Sequence, residues 1–312
     1  MRFLPLICRR IAGSVLVLLG ITIVTFGLVH SLPGDPARAL AGVQASPRAV
    51  AAIRAQLGLN DSLIAQYLRY LSDLAHGNLG HSYILGTSIN SLIVARLPST
   101  VLLVAYAAVL ALLIGIPLAT IAAVRRNRAA DHLTRGFLVI ALGMPSFWLG
   151  LLLVAYPALK WGLFPSGGSG RGFVNGLYHL FLPALTLSLT FLAVTVRSLR
   201  ASLIDVLSAE YVWMARLKGI STWRVYTRHV MRNALRPALT IVGLNVSYLL
   251  GASVVVETVF AINGIGNTLV QAVTQRDYLV VQGIALVFGA LVLVVTLAVD
   301  VAQAALDPRA TV

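Results

Sequence analysis

Four stretches of this chain have residue types that could do chemistry: a serine inside an apolar run, a histidine pair, a glycine-rich segment and a cationic block. Ser253 follows Gly251-Ala252, small residues that would leave a buried nucleophile accessible, but Val254 comes next, the last apolar segment holds no histidine and HExxH is absent. Without a base to take the hydroxyl proton, intramembrane proteolysis is the weaker reading and Ser253 is a small packing residue. His76 and His81 are five apart with no third ligand, which reads as two solvated imidazoles and not as a metal site. SGGSGRG, 166–172, lacks the GK[ST] ending and the preceding strand of a phosphate loop and reads as a flexible connection. Cys8 is the single cysteine, so no intrachain disulfide can form, and no CxxC spacing offers metal ligands. The sequence therefore predicts no enzyme, no metal and no cofactor bound by this chain. What remains is Glu210–Pro237, which carries six Lys/Arg and one Glu.

That block interrupts a chain built for lipid. Hydrophobic residues make up 58% and charged residues 11% of 312, with mean hydropathy +0.88, against about 25% charged in soluble domains. The formal charge of +14 does not point to nucleic acid, because the basic residues alternate with apolar spans. A span needs about 20 mostly apolar residues. Six segments qualify: Ile11–Ser31, Pro98–Val124, Gly136–Tyr156, Leu180–Val196, Ala238–Ile262 and Tyr278–Ala302. The opening MRFLPLICRR resembles a signal peptide, but its 21-residue apolar stretch exceeds the usual h-region of about 7–15 and reads as a first span. With the N-terminus inside, sixteen Lys/Arg fall on inner segments and eight on outer ones. The positive-inside rule thus predicts an N-in, C-in, all-α polytopic membrane protein of six transmembrane helices.

The order of parts follows: a first transmembrane helix (1–31), an extracytoplasmic helical cap (32–97), a core (98–302) with a cytoplasmic loop at 197–237, and a cytoplasmic tail (303–312). Within the cap, Ser46-Pro47 and Gly58 bracket a helix over Pro47–Leu57, a second runs from Leu63 to His76-Gly77, and a third is expected from Asn90 to Leu97 before Pro98. In the loop, Ser208 to Lys218 forms a short helix stopped by Gly219, with φ > 0, and Ser221 caps a second helix. There Arg224, Arg228, Arg232 and Arg236 recur every four residues and share one face, away from Val225, Val230 and Ala234. Such a basic face alone would serve an interfacial helix on anionic lipid. The exposed aromatics of the first helix fit docking on another protein, with Ala215 on the docking face. In the fifth span, Glu257, Asn245 and Ser253 are candidates to line a substrate path. A carboxylate there costs about 2.5–3.5 kcal/mol unless partnered or wet, and Glu257 could alternatively snorkel to the outer interface. Asp300 reads as interfacial.

Tyr211-Val212, Ala215-Arg216, Lys218-Gly219, Arg228-His229 and Arg232-Asn233-Ala234-Leu235 with Pro237 resemble the coupling loop of permease subunits of bacterial peptide ABC importers. The general Glu-Ala-Ala triplet of that loop falls on Trp213, Met214 and Ala215, so only its last alanine is present; Glu210 stands where the peptide-importer branch has its acidic residue. The resemblance extends to Leu32-Pro33-Gly34-Asp35-Pro36, Leu57-Gly58-Leu59, Gln66-Tyr67-Leu68, Arg96-Leu97-Pro98, Pro145–Gly150, Leu182-Pro183-Ala184, Glu257–Phe260, Arg276-Asp277-Tyr278, Gln282-Gly283 and Asp307-Pro308-Arg309. Asn263-Gly264-Ile265-Gly266 departs from the Pro-Gly common in the family. The resemblance implies the type I importer permease fold in a bacterial inner membrane. It also implies half of a translocation path for di- and oligopeptides, with nickel or glutathione as alternative cargo. The implied partners are a second homologous permease, two cytoplasmic ATPase subunits that carry ATP and Mg, and an extracytoplasmic peptide-binding protein, with membrane lipid around them. The coupling-loop residues it implies are Glu210, Tyr211, Ala215, Arg216, Lys218, Gly219, Arg228 and His229.

Overall fold

The computed structural model describes residues 3–31, 37–38, 45–56, 58–82, 84–170 and 172–306. The motif Leu32–Pro36, Leu57 and the closing Asp307-Pro308-Arg309 lie outside the described residues. The chain divides into two compact units, Met1–Leu97 with Thr268–Leu291, and Pro98–Asn267 with Val292–Val312.

In the first unit, α1 (Phe3–Ser31) is a long apolar helix. Two short helices follow, α2 (Pro47–Gln56) and α3 (Leu63–Ala75). Each starts where a serine hydroxyl can take up an orphan N–H: Ser46 accepts from the Ala49 amide and Ser62 from the Ala65 amide. The glycines that follow, Gly58 and Gly77, have φ of +63° and +75°, values open to glycine because it has no Cβ. α3 is tied to α1 by Tyr67 and Thr22, whose hydroxyls are 2.9 Å apart. A hairpin that the sequence reading did not foresee joins β1 (His81–Ser82) to β2 (Thr87–Ser88). Its buried Ser82 donates to Asp277, whose other oxygen receives the Val280 amide at the start of α11 (Tyr278–Leu306).

The expected Asn90–Leu97 helix does not end at Pro98. It is the first part of α4 (Ile89–Val124), which carries Pro98 and Pro117 internally. A proline forfeits one helical bond at roughly 3 kcal/mol, but a break inside an apolar run would leave whole helix ends unsatisfied, which costs more where no water reaches. The third span behaves in the opposite way. α5 (Ala129–Gly143) and α6 (Ser146–Leu153, continued as the π-helix Val154–Lys160) meet at 99°. Gly143 ends α5, Pro145 forces Met144 into an extended conformation (φ −86°, ψ 120°), and Pro145 then takes the N-cap position of α6.

The centre of the second unit is α7 (Phe173–Leu207), two-thirds of whose apolar window is buried. Its polar residues turn inward on their own backbone: Thr186, Ser188 and Thr195 donate to the carbonyls of Leu182, Leu185 and Phe191. After α8 (Glu210–Leu217) a turn, Thr222–Arg224, and a π-helix, Val225–Met231, lead without a gap into α9 (Arg232–Val259), and α10 (Ile265–Gln275) follows. Among the described residues, four helices are long and apolar enough to cross a membrane, five if the bent pair counts as one, and Asn245–Val259 is a shorter apolar helix.

The glycine-rich segment 166–172 is not a loose connection. Its Gly168 amide donates to the Phe260 carbonyl at 3.0 Å, and a Cβ on Gly167 would lie 2.3 Å from that oxygen, so the segment is packed on the end of α9 by backbone contact. Arg171 lies outside the described residues.

Candidate functional site

The cationic block begins with α8, whose first turn carries Glu210 and whose last carries Arg216, the order that suits the helix dipole. It ends in a complete Schellman motif: the Gly219 amide bonds the Arg216 carbonyl at 3.0 Å, the Ile220 amide bonds the Ala215 carbonyl at 3.3 Å, and Gly219 has φ +73°.

An eight-residue helix has two faces, and here they differ sharply. Val212 and Ala215, three apart, are buried among Leu199 and Leu203 of α7, Ala119 and Ala123 of α4, Leu138 of α5, and Val225, Val230 and Ala234. Tyr211, Trp213, Met214 and Leu217 are exposed, Trp213 and Leu217 by nearly two-thirds. Ala215 was expected on the docking face, and that is corrected: it is 8% exposed and belongs to the core-facing side. The pattern Val212-x-x-Ala215 held that information in its period.

The next segment buries Val225 and Val230, five residues apart, a spacing that shares a face in a π-helix and not in an α-helix. The wider turn carries Arg224, Arg228 and Arg232 outward, all exposed, and His229 is half-buried. The Arg236 side chain lies outside the described residues. Ser221 takes the N-cap position, yet its hydroxyl makes no capping bond.

Three side-chain ties brace this block, none of them anticipated from the sequence. Asn233 Nδ2 donates to the Tyr211 hydroxyl at 3.0 Å, and the Tyr226 hydroxyl donates to Thr120 Oγ1 at 3.0 Å. Arg200, near the end of α7, grips Asp131 in the first turn of α5, with Nε to Oδ1 at 2.8 Å and Nη2 to Oδ2 at 2.7 Å. Asp131 precedes the apolar part of α5 and is fully buried. The Arg200 hydrogen bonds outweigh desolvation and, with the Asn127 amide and the charges of Arg200 and Arg135, hold its carboxyl at about 2.

Glu257 neither snorkels nor faces water within this chain. It is fully buried; Oε1 receives the Thr100 hydroxyl at 2.7 Å and Oε2 the Asn267 amide at 2.9 Å, so the carboxylate caps the first turn of α10. Thr100 Oγ1 in turn accepts the Ile265 amide at 3.0 Å. A Cβ on Gly264 would lie 2.3 Å from Glu257 Oε2, and one on Gly266 2.8 Å from Val254 Cα. The departure Asn263-Gly264-Ile265-Gly266 is thus a turn that wraps a carboxylate. Ser253 is buried and donates to the Leu250 carbonyl at 2.8 Å; Asn245 lies two turns earlier in α9 and is half-buried. The structure brings Ser253 and Glu257 one turn apart and places Asn245 separately. Among the described residues no His/Cys/Asp/Glu group could hold a metal.

The block thus presents an exposed aromatic helix, stopped at Gly219 and bonded into a bundle of apolar helices. Residues 115–312 match the family described as the binding-protein-dependent transport system inner membrane component, and residues 1–104 match its N-terminal counterpart. The chain belongs to this family. Similar proteins include the dipeptide transport system permease protein DppB of Escherichia coli (strain K12), 34% identical over 98% of both chains. The oligopeptide transport system permease protein AppB of Bacillus subtilis (strain 168) is 37% identical over 97% of this chain and 98% of its own. The glutathione transport system permease protein GsiC of Escherichia coli (strain K12) is 37% identical over 97% of both. In fold, the chain resembles the MetNI methionine ABC transporter in an inward-facing form, with TM-score 0.57 and 17% identity, over 69% of this chain and 96% of that one. A crystal structure of an amino acid ABC transporter aligns with TM-score 0.53 and 16% identity, over 69% and 94%. The chain is therefore an all-α ABC importer permease of the inner membrane, a translocation component and not an enzyme, that works with other components of its transport system.

Proposed function

We propose that this permease forms half of the translocation path of an ATP-driven importer for di- and oligopeptides, beside a second homologous permease. Of two cytoplasmic ATPase subunits, which bind ATP and Mg, one docks on α8, and an extracytoplasmic peptide-binding protein delivers cargo on the side of residues 32–97. The six-span, N-in and C-in arrangement puts 197–237 on the ATPase side, as the Lys/Arg asymmetry favours. The observation that carries the docking reading is the exposed face Tyr211, Trp213, Met214 and Leu217 on a helix whose other face is buried. An apolar face left in water invites a protein partner. Nucleotide states that bind this face differently would bias the permease between conformations. Glu210, Arg216 and Lys218 flank the docking face, Arg228 and His229 follow it on the next segment of the coupling loop, and Gly219 stops α8 between the two.

Peptide cargo is supported by the names of the relatives, and glutathione, itself a tripeptide, is the second reading, favoured by the likeness to GsiC. Uptake of labelled dipeptide by cells carrying the whole system, competed by unlabelled peptides or by glutathione, separates the two. Competition by glutathione alone would replace the first with the second. Docking is tested by co-purification: Leu217→Asp should lose the ATPase subunits, and a variant that keeps them would sink the α8 interface.

A further inference from the structure

We propose that the Asp131–Arg200 fork is a positioning element of transport, the rigid tie through which movement of α8 is passed to the turn between α4 and α5. This rests on the reading of α8 as the ATPase-docking helix.

α8 is seated on the membrane helices by an apolar cluster and by the Asn233–Tyr211 hydrogen bond, and a second directional tie, between α7 and α5, lies beside that seat. The apolar cluster sets Val212 and Ala215 against Leu199, Leu203 and Leu138. Burial is non-directional, so that cluster holds the inner face of α8 without prescribing a hydrogen-bond geometry. The fork joins α7 to α5 without touching α8, and it is directional. Arg200 lies one helical turn from Leu203, which packs in the same cluster as α8, and it reaches across to a residue 69 positions earlier in the chain. Both its bonds must be aligned at once, 2.8 and 2.7 Å, which a bidentate guanidinium–carboxylate pair achieves in one relative orientation. Asp131 also accepts the Asn127 amide at 3.0 Å, and Asn127 sits at φ +60° in the tight α4–α5 turn. The carboxylate thus links α7, the first turn of α5 and that turn's backbone through three hydrogen bonds. Arg135, 3.6 Å from Oδ1 and half exposed, adds charge without a further constraint. A buried carboxylate adds no net stability over an apolar pair of the same shape, so what it supplies here is a fixed orientation.

The test uses the assembled importer in proteoliposomes with its binding protein. Arg200→Lys keeps the charge and loses the fork, and the double variant Asp131→Asn/Arg200→Gln removes both charges, so neither leaves a buried carboxylate unpaired. Both should retain the ATPase subunits and stimulated hydrolysis while uptake per ATP hydrolysed falls at least about five-fold, the low end of a coupling free energy between sites. Unchanged uptake per ATP in both variants overturns the proposal. So does loss of ATPase attachment in Arg200→Lys, because the fork would then only hold the docking helix in shape. The reading of α8 itself fails on a different result, normal ATPase attachment in Leu217→Asp, so the two can be told apart.

Discussion

Ala215 and Leu217 are two residues apart and face opposite ways, so the same substitution should do different damage at each. Ala215→Asp puts a charge among Leu199, Leu203 and Val230 with no partner, and it should lower the thermal stability of the purified permease and its level in the membrane. Leu217→Asp adds a charge to an exposed face and should leave stability unchanged while ATPase attachment is lost. Gly219 offers a second contrast. A Cβ there would meet nothing within 4 Å, so its demand is conformational: φ +73° costs a β-branched side chain roughly 1–2 kcal/mol, whereas asparagine visits that region readily. Gly219→Asn should therefore keep most uptake and Gly219→Val should not, measured at equal membrane levels. Asp131, held at about 2, lies below the ordinary carboxylate value of about 3.9. Its depressed folded value means that its contribution is complete above pH 4 and lost only as pH falls from 4 toward 2. Uptake per ATP measured between pH 5.5 and 8 should accordingly show no change traceable to this pair, and Asp131→Asn should not alter the shape of that profile.

At the scale of elements, the corner between α9 and α10 is built on one carboxylate. Glu257→Gln and Thr100→Val should each destabilise the permease by about 1–3 kcal/mol, the cost of a buried group left unpaired. The double variant should cost less than the sum of the two, because they share one bond while each holds a further amide of its own; additive losses by thermal unfolding would remove the staple. This corner was half legible. An acidic residue in an apolar span announces a partner, but the partners are a threonine 157 positions away and a backbone amide, which only the folded chain brings together. Helix starts and stops near Ser46, Gly77 and Gly219 could be read because capping chemistry is local, and the start at Leu63 because apolar residues recur from there at helical spacing. The passage of α4 through Pro98, the bend at Pro145 and the π-helix at Val225–Met231 could not, since each depends on what neighbouring helices and lipid allow at that depth. Arg224, Arg228 and Arg232 point outward along that π-helix. Replacing Arg228 and Arg232 with Gln should weaken attraction to anionic lipid by about 1 kcal/mol per charge and leave ATPase attachment in place.

For the whole molecule, the account stands on which side of the membrane each polar segment meets. The apolar spans and the basic block were plain in composition, while the ties that brace the block, Asp131–Arg200 and Tyr226–Thr120, were invisible because no local pattern marks a long-range pair. In a Cys8→Ser background, cysteines at Ser166 and Ser221, both exposed, report the two sides. An impermeant thiol reagent should label the first in intact cells and the second only after lysis. The most direct measurement adds Trp213→Cys in the same background, at the centre of the exposed face of α8. Its labelling by that reagent should be absent in intact cells, rapid in lysed membranes stripped of ATPase subunits, and suppressed when those subunits are restored. Labelling of intact cells, or labelling in lysed membranes that restored ATPase subunits leave unchanged, would contradict the assignment of α8 as the docking helix.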